Sequence, residues 1–460
     1  MVKTKACTVL KSFGMDDEES DGEDSGRQSE TELLQSIFAK LARLSALAPA
    51  NNKTTEAEMN MLDSAGRGVV VDMMGMQVRG PAKKTTAEKR VDIFEMEASP
   101  SMQVGNRELF DSWQMNIFEL SADRLQQLSL YIFFASPMAV VSGRVFTDFE
   151  TFGHFYELIH DGYNDVPYHN FLHACDTLHM VYRLLVSTSA KACFSDIELH
   201  ALLVSAIGHD IGHPGFNNAF LIETKHDLAT RWNDRSPLEN MHCARLLEIC
   251  STTKRNVFGR ASTEDAKQAR KVCISTILHT DLIHHVDMVK NMERVYELNS
   301  AICEEQAAYG GEISASYEDM IRRDSMSFLE LFLHMADIAN PLKPFDVCKA
   351  WAWRVMDEFF AQGDEEKRLG LPVGMLNDRD KINRGGSQHG FVTILVSPLV
   401  FSAVQLFPTL HPLGTQMASN LMHFRTLWEE EVHPSPEDKQ KRDEDIRRIR
   451  EMAEMLQDRS

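Results

Sequence analysis

The chain has no Cys-x-x-Cys pair: its eight cysteines stand singly at 7, 175, 193, 243, 250, 273, 303 and 348. Without paired spacing, and with no secretory signal ahead of them, they read as reduced, mostly buried thiols of a cytoplasmic protein. No glycine follows the first methionine, and the closing Asp-Arg-Ser is no prenylation box, so neither lipid anchor is expected. A Rossmann glycine pattern, a Walker lysine, an internal repeat and strand-period runs are also missing. Dinucleotide, P-loop and solenoid designs are thereby set aside. Basic residues are in deficit, 48 Lys and Arg against 68 Asp and Glu, for a net charge of -20. Such a chain repels nucleic acid and anionic membrane, and no basic patch lies near its histidines. A multivalent cation would be drawn to it.

Charge vanishes altogether from Gly390 to Phe424, which contains no Asp, Glu, Lys or Arg. Phe391 to Phe407 is long enough to suggest a membrane span. Against that stand Pro398, Pro408 and Pro412, the recurring Ser, Thr, Gln and His, and a start with no basic anchor. A helix apolar all round in a large soluble protein is a core helix, and that is the expectation here.

What the chain has in excess is clustered histidine. Of 18 histidines, 13 lie between residues 154 and 285, where even spreading would put about five. An isolated His-x-x-x-His is more often two ordinary histidines than a ligand pair. Here the crowding favours the ligand reading for Tyr168-His169-Asn170-Phe171-Leu172-His173, taken with His209-Asp210-Ile211-Gly212-His213-Pro214-Gly215 and with Asp337. On a helix, His169 and His173 would share a face and address one point.

Taken in order, residues 1–105 are expected to be an acidic extension and 106–460 a single catalytic domain. The run from Asp16 to Ser25 is too like-charged to bury anything and should be disordered. Residues 31–48 carry Leu33, Leu34, Ile37, Phe38, Leu41 and Leu44 at helical spacing. That amphipathic stripe needs a partner, either the catalytic body or a second subunit in a homodimer. From Asn106 onward the pattern is densely helical. Ser195-Asp196-Ile197-Glu198 reads as a capping box opening a buried helix that ends at His209-Asp210. Ser236-Pro237-Leu238-Glu239 reads as another, which gives Glu239 a structural task, and Ser327 to Glu330 opens a third. Asp337 in that helix's last turn opposes the macrodipole, which makes sense if a cation lies opposite. The tail from Trp428 is expected to be a surface helix without chemistry.

Two imidazoles and two carboxylates, His173, His209, Asp210 and Asp337, suit zinc or another late divalent ion. Asp210 can bridge to a second, water-rich ion, an environment for magnesium or manganese. Two such ions share a water whose pKa falls from about 15.7 towards ~7, the chemistry of a phosphate-ester hydrolase. His169 would stand near the centre without binding it and could protonate a departing alkoxide, provided a carboxylate restores its basicity. His213 is placed to orient ligands or waters.

In order along residues 106–440, Tyr-His-Asn-x-x-His-Ala at 168–174, His-Asp-x-x-His-Pro-Gly at 209–215, Leu238-Glu239-Asn240, Thr280-Asp281, Ala336-Asp337 with Asn340-Pro341, and Ser387-Gln388 resemble the class I cyclic nucleotide 3',5'-phosphodiesterase catalytic domain. The resemblance implies a compact all-α domain of many helices that opens cAMP or cGMP to the 5'-monophosphate using two divalent ions, zinc with magnesium or manganese. It implies that His169 is the acid for O3', that His173, His209, Asp210 and Asp337 are ligands, and that His213, Glu239 and Thr280 act around the ions. It further implies that Gln388 binds the purine between Phe391 and Val355, with Tyr168 and Phe359 lining the cavity. Asn340 resembles the asparagine of cAMP-preferring relatives. By local pattern alone, Phe391 and Val355 are core residues and Asn340 ends a helix.

The sequence departs from the family pattern at Gly212, where many relatives carry Asp, and at Leu282 and Cys348, which leaves nucleotide selectivity open. A rival reading is a His-Asp phosphohydrolase acting on nucleoside triphosphates or a related messenger, which would need a basic cluster. A scaffold with a dead site is the third, and the complete ligand set opposes it.

Overall fold

The computed structural model describes residues 105–458 apart from 140–142, 189 and 309–312. The acidic tract and the 31–48 helix expected from the sequence lie outside the described residues. Every regular element among the described residues is helical and none is a strand. The fold is all-α.

The helices that frame the core and the site are, in chain order, α1 (Ala122–Phe134), α2 (Phe149–Gly162), α3 (Phe171–Ser187), α4 (Asp196–Gly208), α5 (Pro237–Cys250), α6 (Thr263–Leu278), α7 (His285–Leu298), α8 (Ser325–Asp337), α9 (Phe345–Leu369), α10 (Arg384–Phe391), α11 (Ser397–Leu406), α12 (His411–Val432) and α13 (Pro436–Gln457). At the centre runs α4, buried at every position from Ile197 to Gly208. Its apolar residues leave it no solvent face, so it packs against α3 on one side and α6 on the other. Burying each of Leu199, Leu202, Leu203, Val204 and Ile207 contributes about 1.5–3 kcal/mol. Glu198 opens this helix as expected: its Oε2 accepts from the Ser195 backbone N–H at 2.9 Å. The other Glu198 oxygen accepts from Gln268 and Ser325, which ties α4 to α6 and α8.

The second expected capping box does not form. Ser236 takes a left-handed conformation, φ 41°, and makes no side-chain cap, so Glu239 is released from capping and faces Asn218 instead. The third expected start is displaced. α8 begins at Ser325 after Asp324, while Ser327 Oγ donates to Asp324 Oδ1 and Glu330 accepts from Ser275.

The uncharged stretch forms a continuous helix from Arg384 to Leu406, with mean hydropathy 1.6 and 78% of its apolar window buried inside the fold. It is a core helix. Between α10 and α11 it contains a π turn, Val392–Val396. The seven described cysteines are all free and buried. Between α3 and the chain beyond α8, the buried Lys343 reaches Asp176 Oδ1 at 2.7 Å, and Asn420 donates to the carbonyls of Pro341 and Lys343.

Candidate active site

α3, α4 and α8 bring their ends to one point. His173 sits in the first turn of α3, His209 and Asp210 lie at the end of α4, and Asp337 is the last residue of α8. His173 Nε2 lies 3.0 Å from Asp337 Oδ1 and 3.6 Å from Asp210 Oδ2. His209 Nε2 lies 3.3 Å and 3.2 Å from the same two oxygens. In a tetrahedral site with bonds of about 2.0–2.2 Å, neighbouring ligand atoms stand roughly 3.3–3.6 Å apart, so the four residues already have nearly the spacing of a ligand shell. His209 Nδ1 donates to the Ala206 carbonyl at 2.9 Å, which leaves the Nε2 lone pair aimed at the cluster. Among the described residues no hydrogen-bond donor satisfies the buried Asp210 Oδ2, an arrangement that costs about 1–3 kcal/mol unless a cation compensates. The donor set and the orphaned oxygen both fit a metal ion.

Burial alone would raise the acidity constants of both carboxyls. The adjoining histidines reverse this and hold Asp210 and Asp337 well below the usual carboxylate range. Two aspartates are therefore kept as anions in a buried site, ready for a cation.

His169 stands beside this cluster, but not where a helix would put it. α3 begins only at Phe171 because Asn170 is its cap, accepting from the backbone N–H groups of Leu172 and His173. His169 therefore lies ahead of the helix, with its ring centroid 5.9 Å from that of His173. Its Nδ1 contacts Glu358 Oε1, while Glu358 Oε2 accepts from the backbone N–H groups of Tyr168, at 2.9 Å, and His169, at 3.2 Å. Burial opposes a charged imidazole, yet the Glu358 carboxylate overcomes it and pushes the His169 pKa up to about 9. Glu358 itself is lowered to about 2, because His169 outweighs its burial.

Sequence spacing does not reveal Glu358, which lies 189 residues from His169. One signal was available: Val347, Trp351, Glu358, Gln362 and Glu366 all fall on the buried stripe of α9, and the last three are polar. A polar residue on such a stripe must find a partner. Gln362 accepts from the Asn217 backbone and bonds Glu366, which supports the turn that carries His213.

The other expected residues fall around this centre. His213 stacks on His169 at 3.9 Å between centroids, and burial followed by the His169 charge holds its pKa well below the ordinary value. Glu239 accepts from Asn218 at 2.9 Å; burial and then Asp281 raise its pKa to about 8. Thr280 Oγ1 is committed to the Ile277 carbonyl at 2.8 Å. His242, which the sequence did not single out, donates through Nδ1 to Ile211 O and turns Nε2 to within 3.7 Å of Asp210 Oδ1. At Gly212, φ is +80° and an added Cβ would meet the Arg245 guanidinium, so Arg245 fills the space a larger residue would need.

Tyr168 and Asn340 are joined, Asn340 Nδ2 donating to Tyr168 Oη at 2.7 Å. Gln388 and Phe391 are three residues apart on α10 and share a face, as do Val355 and Phe359 on α9. Phe391 and Val355 are half-buried against the core. Gln388 is only 5% exposed, and no described residue hydrogen-bonds its side-chain amide.

An all-α body that brings two histidines and two aspartates together beside a carboxylate-held third histidine is of the His-Asp metal-site class. Residues 168–417 match the family model of the 3',5'-cyclic nucleotide phosphodiesterases. The chain belongs to that family. It is 32% identical over 259 residues to the human high affinity cGMP-specific 3',5'-cyclic phosphodiesterase 9A, covering 56% of this chain and 40% of that protein. It is 30% identical over 354 residues to a Drosophila melanogaster 3',5'-cyclic-AMP phosphodiesterase, isoform F, covering 76% and 51%. The chain thus spans about half the length, or less, of these relatives. The phosphodiesterase domain of Salpingoeca rosetta rhodopsin phosphodiesterase superposes with a TM-score of 0.62 at 28% identity, covering 74% of this chain and 95% of that domain.

Proposed function

We propose that this chain hydrolyses 3',5'-cyclic nucleotides to 5'-monophosphates, with His169 as the acid that protonates O3'. The observation that carries the reading is the Glu358-held His169 standing beside the four-residue ligand cluster. His173, His209, Asp210 and Asp337 would hold a zinc ion, and Asp210 would extend to a second ion, magnesium or manganese. Bound there, the ions supply Lewis acidity and a water made acidic enough to react at neutral pH.

The chain's own groups do the rest. Glu358 fixes the Nδ1–H tautomer of His169 and favours its charged form, so that Nε2 carries the proton to be donated. Protonating an alkoxide leaving group contributes roughly 10²–10⁴ in rate. His213 and His242 remain neutral under burial and leave the positive charge to His169. Glu239 and Thr280 would act through water around a second ion. Gln388 takes the purine edge between Phe391 and Val355, with Tyr168 and Phe359 along the wall. Asn340 spends an amide hydrogen on Tyr168, which leaves its carbonyl oxygen as an acceptor suited to the exocyclic amino group of adenine. We therefore favour cAMP, with cGMP as the second substrate.

The same reading takes residues 106–460 as the catalytic domain and residues 1–105 as a cytoplasmic extension that could support a homodimer. Net charge -20 speaks against nucleic acid and anionic membrane as partners. The test is turnover of cAMP and cGMP by the full chain, before and after chelation, with the product identified by phosphorus NMR. A 3'-monophosphate product would refute the role of His169, and release of triphosphate from a nucleoside triphosphate would favour the rival His-Asp hydrolase.

A further inference from the structure

The C-terminal helix α13 is not a bystander on the surface. Its Ile446, Ile449, Ala453 and Leu456 are buried, and it packs along α11 and α12. From the same helix two polar side chains reach into α10 on either side of Gln388. Arg442, stacked 4.0 Å over the Trp428 ring, donates from Nη1 to the Gly386 carbonyl at 3.4 Å. Asp445 Oδ2 stands 3.4 Å from His389 Nε2, while its other oxygen is paired with Arg448.

His389 adjoins Gln388 and is buried at a cost, as His200 and His334 also are. Its ring is completely buried, its Nδ1 has no hydrogen-bond partner, and an apolar residue would pack there without that cost. Among the described residues, the ring's only hydrogen-bond partner is Asp445. A residue kept at a cost to stability calls for a role, and its neighbour in sequence is the glutamine that would read the base. Gly385 adds to the constraint: a Cβ there would lie 3.1 Å from both Phe424 O and Trp428 N, so α10 is pressed against α12. Contact with α12 sets how far α10 stands from the core. Arg384, held by the Trp353 carbonyl and Asp357 of α9, anchors the start of α10, and the two side chains from α13 bear on the turn that carries Gln388.

The geometry points to His389 and Asp445 as positioning residues for base recognition, setting the rotation of α10 and so the placement of the Gln388 amide. An amide roughly 6 Å from a helix axis moves about 1 Å for each 10° of rotation. A displacement of that size is enough to spoil a directional hydrogen bond. The inference rests on the reading of Gln388 as the purine contact, and the experiment separates the two.

Wild type, H389V, D445L, D445N and Q388A are compared as full chains for kcat and KM on cAMP and cGMP and for melting temperature. H389V and D445L should raise KM by roughly 3- to 10-fold, the worth of one hydrogen bond, with kcat within about twofold, and should change the cAMP-to-cGMP ratio of kcat/KM. D445N, whose amide oxygen can still accept from His389, should stay near wild type. The Asp445 side chain is 15% exposed whereas that of His389 is fully buried, so D445L disturbs the core less and remains informative if H389V fails to fold. Melting temperatures that fall while KM and the nucleotide ratio stay unchanged would overturn the inference, leaving the pair merely structural. If Q388A leaves KM unmoved, the pocket reading itself is wrong and the inference falls with it. If Q388A raises KM while H389V and D445L do not, the pocket stands and only the positioning role is lost.

Discussion

Replacing Glu358 by Gln is the sharpest way to ask whether His169 works as a charged acid. Glu358 is buried and accepts three hydrogen bonds, two from backbone and one from the imidazole. Gln is isosteric and can keep the two backbone bonds through its oxygen, so the local fold should survive. What it removes is the anion that pushes the His169 pKa up to about 9 against the effect of burial. With that charge gone, only the Asp210 and Asp337 carboxylates still oppose burial, and the pKa falls to about the ordinary 6.5 of a free imidazole or below. At pH 7.5 a ring of pKa 6.5 is only about one-tenth protonated, so a loss of at least tenfold in kcat follows from protonation alone. The ceiling is the full worth of a general acid, about 10²–10⁴. A fall of roughly 10²-fold is expected at pH 7.5, with the basic limb of the pH–kcat profile moved to lower pH. The assay is steady-state turnover from pH 5.5 to 9.5, repeated with a substrate whose 3' leaving group is already acidic. That substrate needs no proton and should lose little. Equal losses with both substrates, or a profile that does not move, would refute the reasoning.

Asp210→Asn keeps the shape but removes the charge of the residue that would span two ions; turnover should fall by at least about 10²-fold, and metal content measured on the purified variant should drop. Near wild-type activity would exclude the assigned ligand set. In chelated protein, Glu239 is protonated in the fold up to about pH 8 but only to about 4.5 when unfolded, so its contribution to stability is present at pH 5 and lost as pH rises to 8. Melting curves of the chelated chain should show that decline, and Glu239→Gln should flatten it. Lys343→Met strands the buried Asp176 charge and should destabilise by about 3–5 kcal/mol in urea titration, whereas the double variant with Asp176→Leu should recover most of the loss. A double variant as weak as the single one would show that the pair is not the cause.

Much of the site was legible because its chemistry is carried by short motifs whose internal spacing survives folding. His209 and Asp210 follow a largely apolar helix, and Asp337 closes another, so their placement at helix ends could be read from hydrophobic patterning. Spacing misled at His169. Four residues before His173 suggests one helix face, but Asn170 between them caps α3 and leaves His169 on the entering strand of chain. The capping box at Ser236 failed because Ser236 is left-handed and the Glu239 carboxylate accepts from the Asn218 amide instead. Glu358 and His389 were illegible because their partners, His169 and Asp445, are supplied by distant segments. Sequence shows that a buried polar residue needs a partner, but not which one folding will supply.

The π turn at Val392–Val396 divides one continuous helix into two sections that are out of phase. A residue added to a helical turn advances everything beyond it by about 100°. The half that bears Gln388 and Phe391 is thereby indexed independently of the half that bears Leu399, Val400 and Ala403, all of them packed inside the protein. The face offered to a ligand and the face offered to the interior can drift separately during evolution, because the slipped tooth between them absorbs the difference.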